Sequence, residues 1–207
     1  MKRCAILLLA ASLLILSSCE KEPDTGKLDN NYLVYTNYDA NTDFNAINDV
    51  YIIDSILIIN ESAKATYWNN DNSQKILNEF SKCLLESGYE ITFTSDAADA
   101  VLQLSYVSNT YYFNGYTGGP WWNSYPGYWN WGGWGWYYPY SFIYSYSTGS
   151  IIGELVSTTP STVEKDKLPV LWNTYICGLL NGNTLSFSRT MEAIDQAFEQ
   201  SPYLNKQ

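Results

Sequence analysis

Apolar residues recur along this chain with two different periods, and the switches between them mark out its elements. Asn31–Thr36 (NYLVYT) alternates, with Leu33 and Tyr35 on one face, and predicts a strand. Val50–Ile59 (VYIIDSILII) predicts a second strand region, interrupted at Asp54-Ser55. The stretch between them, Asn37–Phe44, is rich in turn-forming Asn and Asp. The period then lengthens. Asp71 followed by Gln74 fits a capping box, and Ile76, Leu77, Phe80, Cys83 and Leu84 fall on one helical face. Gly88 suits a helix C-cap, so a helix is expected over Asn72–Ser87.

Three strands should follow. Ala100–Val107 (AVLQLSYV) places Leu102, Leu104 and Tyr106 on one face. Gly149–Val156 (GSIIGELV) is the second, and Val170–Cys177 (VLWNTYIC) is the third, with Trp172 and Ile176 sharing a face. In Ser188–Gln200 the stripe Phe187, Met191, Ile194 and Phe198 has helical spacing, and Pro202 ends the element. The order β-β-α-β-β-β-α predicts an α+β fold: a mainly antiparallel sheet with two helices packed on it, in a single domain over residues 31–204.

The N-terminus carries a different pattern. Met1-Lys2-Arg3 is basic, and Ala5–Ile15 is apolar but too short to span a bilayer comfortably. Leu16-Ser17-Ser18-Cys19 then reads as a bacterial lipobox, so residues 1–18 are expected to be a lipoprotein signal peptide. The Cys19 thiol is the atom that would take a diacylglyceryl group. At about 0.8 kcal/mol per buried CH₂, several acyl chains make such an anchor effectively permanent. Residues 19–30 are a polar tether with too little apolar surface to fold. Glu20 follows Cys19, rather than the Asp associated with inner-membrane retention. That favours the outer membrane and leaves its periplasmic and cell-surface faces both open.

Charge narrows the partners. Without Lys2 and Arg3 the net charge moves from −10 to −12. So acidic a chain argues against binding nucleic acid or anionic lipid head groups. No histidine occurs anywhere, which removes Ser-His-Asp and Cys-His catalysis and histidine-based zinc sites. No cofactor is indicated. Asp39 with Asp43, or Asp96 with Asp99, could supply paired carboxylates, although such spacings are common in turns. Cys83 and Cys177 both lie on apolar segments, and either a disulfide or two separate thiols fits.

The most unusual stretch is GGPWWNSYPGYWNWGGWGWYYPY, Gly118–Tyr140. No charged residue occurs between Ala100 and Gly153, and the insertion at 111–146 holds six of the 8 Trp and seven of the 13 Gly. Tyr140, Phe142, Tyr144 and Tyr146 alternate with Ser141, Ile143, Ser145 and Ser147, which predicts a β-ribbon with an aromatic face. Asn114–Gly135 is too rich in Gly and Pro for a regular strand. Four roles fit this composition. The rings could pack over the sheet as a small core of their own. They could form a platform for a glycan, peptide or protein partner. They could dip into a membrane interface, or pair between copies in an oligomer. The contact residues expected under the platform reading are Trp121, Trp122, Trp129, Trp131, Trp134, Trp136, Tyr138 and Tyr140.

Tyr38 to Tyr203 resembles the domain of unknown function 4136 family of bacterial envelope lipoproteins. The pieces that carry the likeness are Tyr38-Asp39 with Asp43-Phe44, Ser87-Gly88-Tyr89 and Asp99-Ala100-Val101-Leu102. Later ones are Gly149-Ser150-Ile151-Ile152 with Leu155, then Leu171-Trp172 and Phe198-Glu199-Gln200-Ser201-Pro202. Two positions depart from the family pattern. Asn173 stands where a basic residue is usual, and Ile52-Ile53 where a Trp often occurs. The resemblance implies no reaction and no catalytic residue. The expectation is therefore a non-catalytic, lipid-anchored envelope protein with an aromatic recognition loop. The alternatives are an envelope hydrolase with paired carboxylates and a structural, oligomer-forming protein.

Overall fold

Register between distant strands decides which side of each apolar run faces the helices. The computed structural model describes residues 32–60, 65–108, 111–113, 135–140, 144–146, 148–160, 167–181 and 184–207. In chain order the elements are β1 (Leu33–Tyr38), β2 (Asp49–Ile52), β3 (Ile56–Ile59), β4 (Thr66–Trp68), α1 (Asp71–Glu86), β5 (Glu90–Thr92), β6 (Ala100–Val107), β7 (Tyr111–Phe113), β8 (Gly135–Tyr137), β9 (Tyr144–Tyr146), β10 (Ser150–Ser157), β11 (Lys167–Cys177), β12 (Leu180–Asn181), β13 (Thr184–Leu185) and α2 (Phe187–Glu199). Asn31–Gln207 forms one compact unit. Among the described residues no helix is long and apolar enough to cross a membrane.

The fold is α+β, with two helices on a large sheet that is mainly antiparallel, though mixed. Its centre is β1-β11-β10-β6, antiparallel at each step. β2 and β3 both run parallel to β6 and lie end to end along it. Ile52 pairs with Leu102 and Leu57 with Ser105, so Ile53–Ile56 face only Gln103 and Leu104. The interruption expected at Asp54-Ser55 is thus a real irregularity in the strand, where surplus residues leave the ladder. The three-residue strands β4 and β5 extend β3 and β2. They are too short to show a period, and the sequence pattern does not predict them.

Two apolar clusters lie on the sheet's two faces. On the first, Val50, Leu102, Leu104, Ile151, Leu155, Trp172 and Ile176 meet Ile76, Phe80 and Leu84 of α1 and Ala193, Ile194 and Ala197 of α2. Gly153 lets this packing close, because a Cβ there would lie 3.1 Å from Phe80 Cε1 and 3.0 Å from Thr174 Cγ2. The Trp172 indole donates to Ser201 Oγ at 2.9 Å, just beyond α2.

Leu33 and Tyr35 share a face of β1, as the alternation predicts, and it is the outward one: they are 57% and 43% exposed, while Val34 and Tyr38 pack on the helix-side cluster. β1 is apolar on both faces, and pairing Val34 with Ile176 and Tyr38 with Trp172 chooses between them. The α1 cap sits one residue earlier than Asp71. Asn70 Oδ1 accepts from the Asn72 and Ser73 amides, and Ser73 Oγ accepts from the Asn70 amide. Gln74 instead donates to the Asp54 carbonyl at 2.9 Å, tying the helix start to the interruption between β2 and β3. In α2 the fully buried residues are Thr190, Ala193, Ile194 and Ala197. Phe187, Met191 and Phe198 are half-buried at the margin, because small residues let the helix approach the core closely.

Candidate functional site

Alternation along β10 sends Ile151 and Leu155 to the helix-side cluster and Ile152 and Val156 to the other face. Glu154 belongs to that second face. Its Cα partners are Gln103 on β6 and Asn173 on β11, so an amide, an acid and an amide form a row across the three central strands. The row is buried, at 4%, 0% and 2% exposure respectively. Around it lie Leu57, Val107, Ile152, Val156, Val170 and Tyr175.

The cover over this face comes from the aromatic segment. Its C-terminal end, Gly135–Tyr140, forms a strap that begins with β8, which pairs parallel to Lys167–Pro169. Trp136 and Tyr138 are 1% and 2% exposed and belong to the same apolar cluster, with Tyr140 packed against it. The Tyr138 hydroxyl donates to Glu154 Oε1. The Tyr140 hydroxyl donates to Asn173 Oδ1 at 2.9 Å, and the two tyrosine rings meet edge to face at 5.6 Å. Nearby, the Ser150 hydroxyl donates to Tyr175 Oη at 3.1 Å.

Burial alone pushes the Glu154 carboxyl well above the ordinary carboxylate range. Burial therefore favours the protonated form of this carboxyl over the ionised one. Glu154 Oε2, Gln103 Nε2 and Ser105 Oγ have no hydrogen-bond partner among the described residues. The sequence does carry a signal for Glu154: it is the lone acid in GSIIGELV, directly after the uncharged run ends at Gly153.

Of the residues singled out from sequence, Trp136 and Tyr138 are placed inside the core, and Tyr140 is half-buried beside them. Trp121, Trp122, Trp129, Trp131, Trp134 and Cys19 lie outside the described residues, as do the signal and tether segments. The expected ribbon is present where β7 pairs antiparallel with β9, Tyr111 opposite Tyr146. The acids considered for catalysis accept hydrogen bonds, three of them from close neighbours in sequence and Asp99 from the start of β2. Asp39 accepts from the Asn41 amide, and Asp43 from the Asn45 amide at 3.1 Å. Asp99 accepts from the backbone amides of Asn48 at 2.8 Å and Asp49 at 3.1 Å, and Asp96 accepts from the Ser95 hydroxyl.

Cys83 and Cys177 are both free thiols. They pack on opposite clusters, which is why they do not pair. Burial raises both, Cys83 to about 12. The Cys83 thiol donates to Asp195 Oδ1 at 3.5 Å, and donor atoms of Glu79, Cys83 and Asp195 lie within 4.8 Å of one another. Among the described residues this is the group that could hold a metal. The Lys82 ammonium, 2.6 Å from Glu79 and 3.9 Å from Asp195, already supplies positive charge there.

Residues 34–203 match the family model described as Domain of unknown function (DUF4136). The chain belongs to this family. A solved structure of another DUF4136 family protein, from Bacteroides thetaiotaomicron VPI-5482, is similar to it at 42% identity and a TM-score of 0.75. That likeness covers 86% of this chain and 100% of the other. No curated protein matches. DUF4136 membership thus accounts for the fold without naming an activity, and the site itself has to carry any reading of function.

Proposed function

We propose that this DUF4136 protein is a non-catalytic binding module, lipid-anchored through Cys19 at the outer membrane, that meets its partner through the aromatic insertion 111–146. The observation that carries the reading is the seating of the strap. Trp136 and Tyr138 are buried against the sheet, so the C-terminal end of the insertion is rooted in the core. A recognition segment gains affinity when a rigid scaffold holds its ends, because less freedom is lost on binding. Five further indoles precede the strap in a stretch without charge. Burial of the acid beside it favours its protonated form, which suits hydrogen bonding.

The test titrates the full chain with peptidoglycan fragments, neutral glycans and lipid vesicles while following Trp fluorescence. Replacing Trp121, Trp122, Trp129, Trp131 and Trp134 together by Ser should abolish the response and leave the melting temperature within a few degrees. A response confined to vesicles would support the membrane-interface role instead. Silence with every probe would defeat the binding reading. The anchor is checked separately: radiolabelled palmitate should enter the wild-type chain and not Cys19→Ser.

A further inference from the structure

We infer that β1 is an interface strand: it pairs antiparallel with β1 of a second copy, across a twofold axis that sets Tyr35 opposite Tyr35 of the other copy. The order β1-β11-β10-β6-β2-β5 leaves β1 at the end of the sheet, and among the described residues no strand lies on its other side. Its ladder with β11 runs without a bulge from Leu33 opposite Cys177 to Tyr38 opposite Trp172. The Asp39 amide continues that ladder by donating to the Leu171 carbonyl at 2.9 Å, and the Tyr35 carbonyl accepts from the Thr174 hydroxyl at 3.2 Å. Odd-numbered residues therefore turn their backbone groups to β11, and alternation turns those of Val34 and Thr36 outward. The Tyr38 amide, next in the outward row, is taken by Asn37 Oδ1 at 2.9 Å. The open edge thus offers the amides and carbonyls of Val34 and Thr36.

Monomeric proteins blunt such edges with charge, proline, a bulge or brevity. The strand LVYTNY has none of these: it is uncharged, lacks Pro, runs six residues, and none of the six is buried. The short strands β4 and β5 are three residues each. The outer face of β1 also exposes two large apolar side chains, Leu33 and Tyr35.

A second copy fits this edge by symmetry. One register uses both open residues at once, with Val34 opposite Thr36 of the second copy and Thr36 opposite its Val34. Tyr35 then meets Tyr35 of the second copy as a non-hydrogen-bonded pair, Cα atoms about 4.5 Å apart. The stack of Tyr35 on Tyr175, at 6.1 Å, continues across the axis into the same rings of the second copy. The chain outside the described residues favours this occupant. The stretch from Cys19 to Leu33 spans at most about 50 Å, so copies anchored at Cys19 hold their β1 strands near one shared surface. Confinement of that kind raises the effective concentration of one strand for another. Residues 19–30 suit the edge poorly themselves, with Pro23 and the charges of Glu20, Lys21, Glu22, Asp24, Lys27 and Asp29. The choice of occupant rests on the Cys19 anchor proposed above and is independent of the aromatic insertion.

The experiment is disulfide trapping of the full chain in its membrane. Under mild oxidant Tyr35→Cys should give a dimer that reductant dissolves, because the pair across the axis has the spacing a disulfide needs. Asn37→Cys lies on the same face but about 14 Å along the strand from its own symmetry mate, and should stay monomeric. The wild type, which keeps Cys83 and Cys177, should stay monomeric as well. Charge at the axis is read by co-purification of two differently tagged copies. Tyr35→Glu and Tyr35→Lys should each lose at least tenfold in self-association, and co-expression of the two should restore it, with melting temperatures within a few degrees of wild type. The inference is overturned if Tyr35→Cys forms no dimer, if Asn37→Cys is trapped as readily, or if the Glu and Lys variants together recover nothing. Failed trapping in a chain that takes up palmitate sinks the pairing alone. Loss of palmitate labelling sinks the anchor, and trapping of Tyr35→Cys still decides the pairing.

Discussion

Glu154 is an ionisable group whose ionisation is opposed by burial. Its folded-state pKa is raised by desolvation, so the folded protein binds its proton more tightly than the unfolded chain does. The stabilisation is complete below the ordinary carboxylate range and is lost as pH climbs from there towards the folded-state value. Glu154→Gln keeps the shape and removes the titration. Urea midpoints of wild type and variant should lie close together near pH 4 and separate as pH rises, with the variant ahead at pH 8. Parallel curves would show that Glu154 does not titrate in this environment. The sequence shows a single acid in an apolar strand. Its raised pKa follows from burial, to which the strap, a different part of the chain, contributes.

The helices are the most legible elements, because a 3.6-residue period repeated over three or four turns cannot be mistaken for alternation. Their boundaries move by only one residue between pattern and structure. The cap is harder to read, since Asn70, Asp71 and Ser73 all have side chains able to cap, and hydrogen bonds to specific amides choose Asn70. Asn70→Ala should cost about 1 kcal/mol in chemical denaturation. Asp71→Ala should cost less, because that side chain contributes charge at the helix start rather than a cap. Strand faces are less secure. β1 is apolar on both sides, and its pattern cannot show that Val34 and Tyr38 face inward. Gly153 poses a related problem in β10, where only the three-dimensional packing reveals that Phe80 and Thr174 occupy the space of its missing side chain. Gly153→Ala should destabilise by about 1–3 kcal/mol through overpacking, measured by the same unfolding curves.

Taken as a whole, the unit Asn31–Gln207 is built on a sheet with a helical layer on one face and part of its own aromatic insertion on the other. Trp136 is core, and Trp136→Ala should lower stability by about 3–5 kcal/mol. The five-indole Ser variant should lose recognition with little change in melting. If Trp136→Ala left the melting curve untouched, the strap would not be part of the core, and the rooted-segment reading would fall with it.

Local chemistry written in consecutive residues was enough to establish the helices, the central strands, the interruption at Asp54-Ser55, the absence of histidine chemistry and the position of the aromatic insertion. Each of these depends on neighbours a few residues apart. Folding alone chose the inward face of β1, set Gln103 opposite Glu154 from far along the chain and laid Tyr138 against that acid. These outcomes depend on register between distant segments. A side-chain period of two gives the same alternation whichever face is buried, so the local pattern cannot choose.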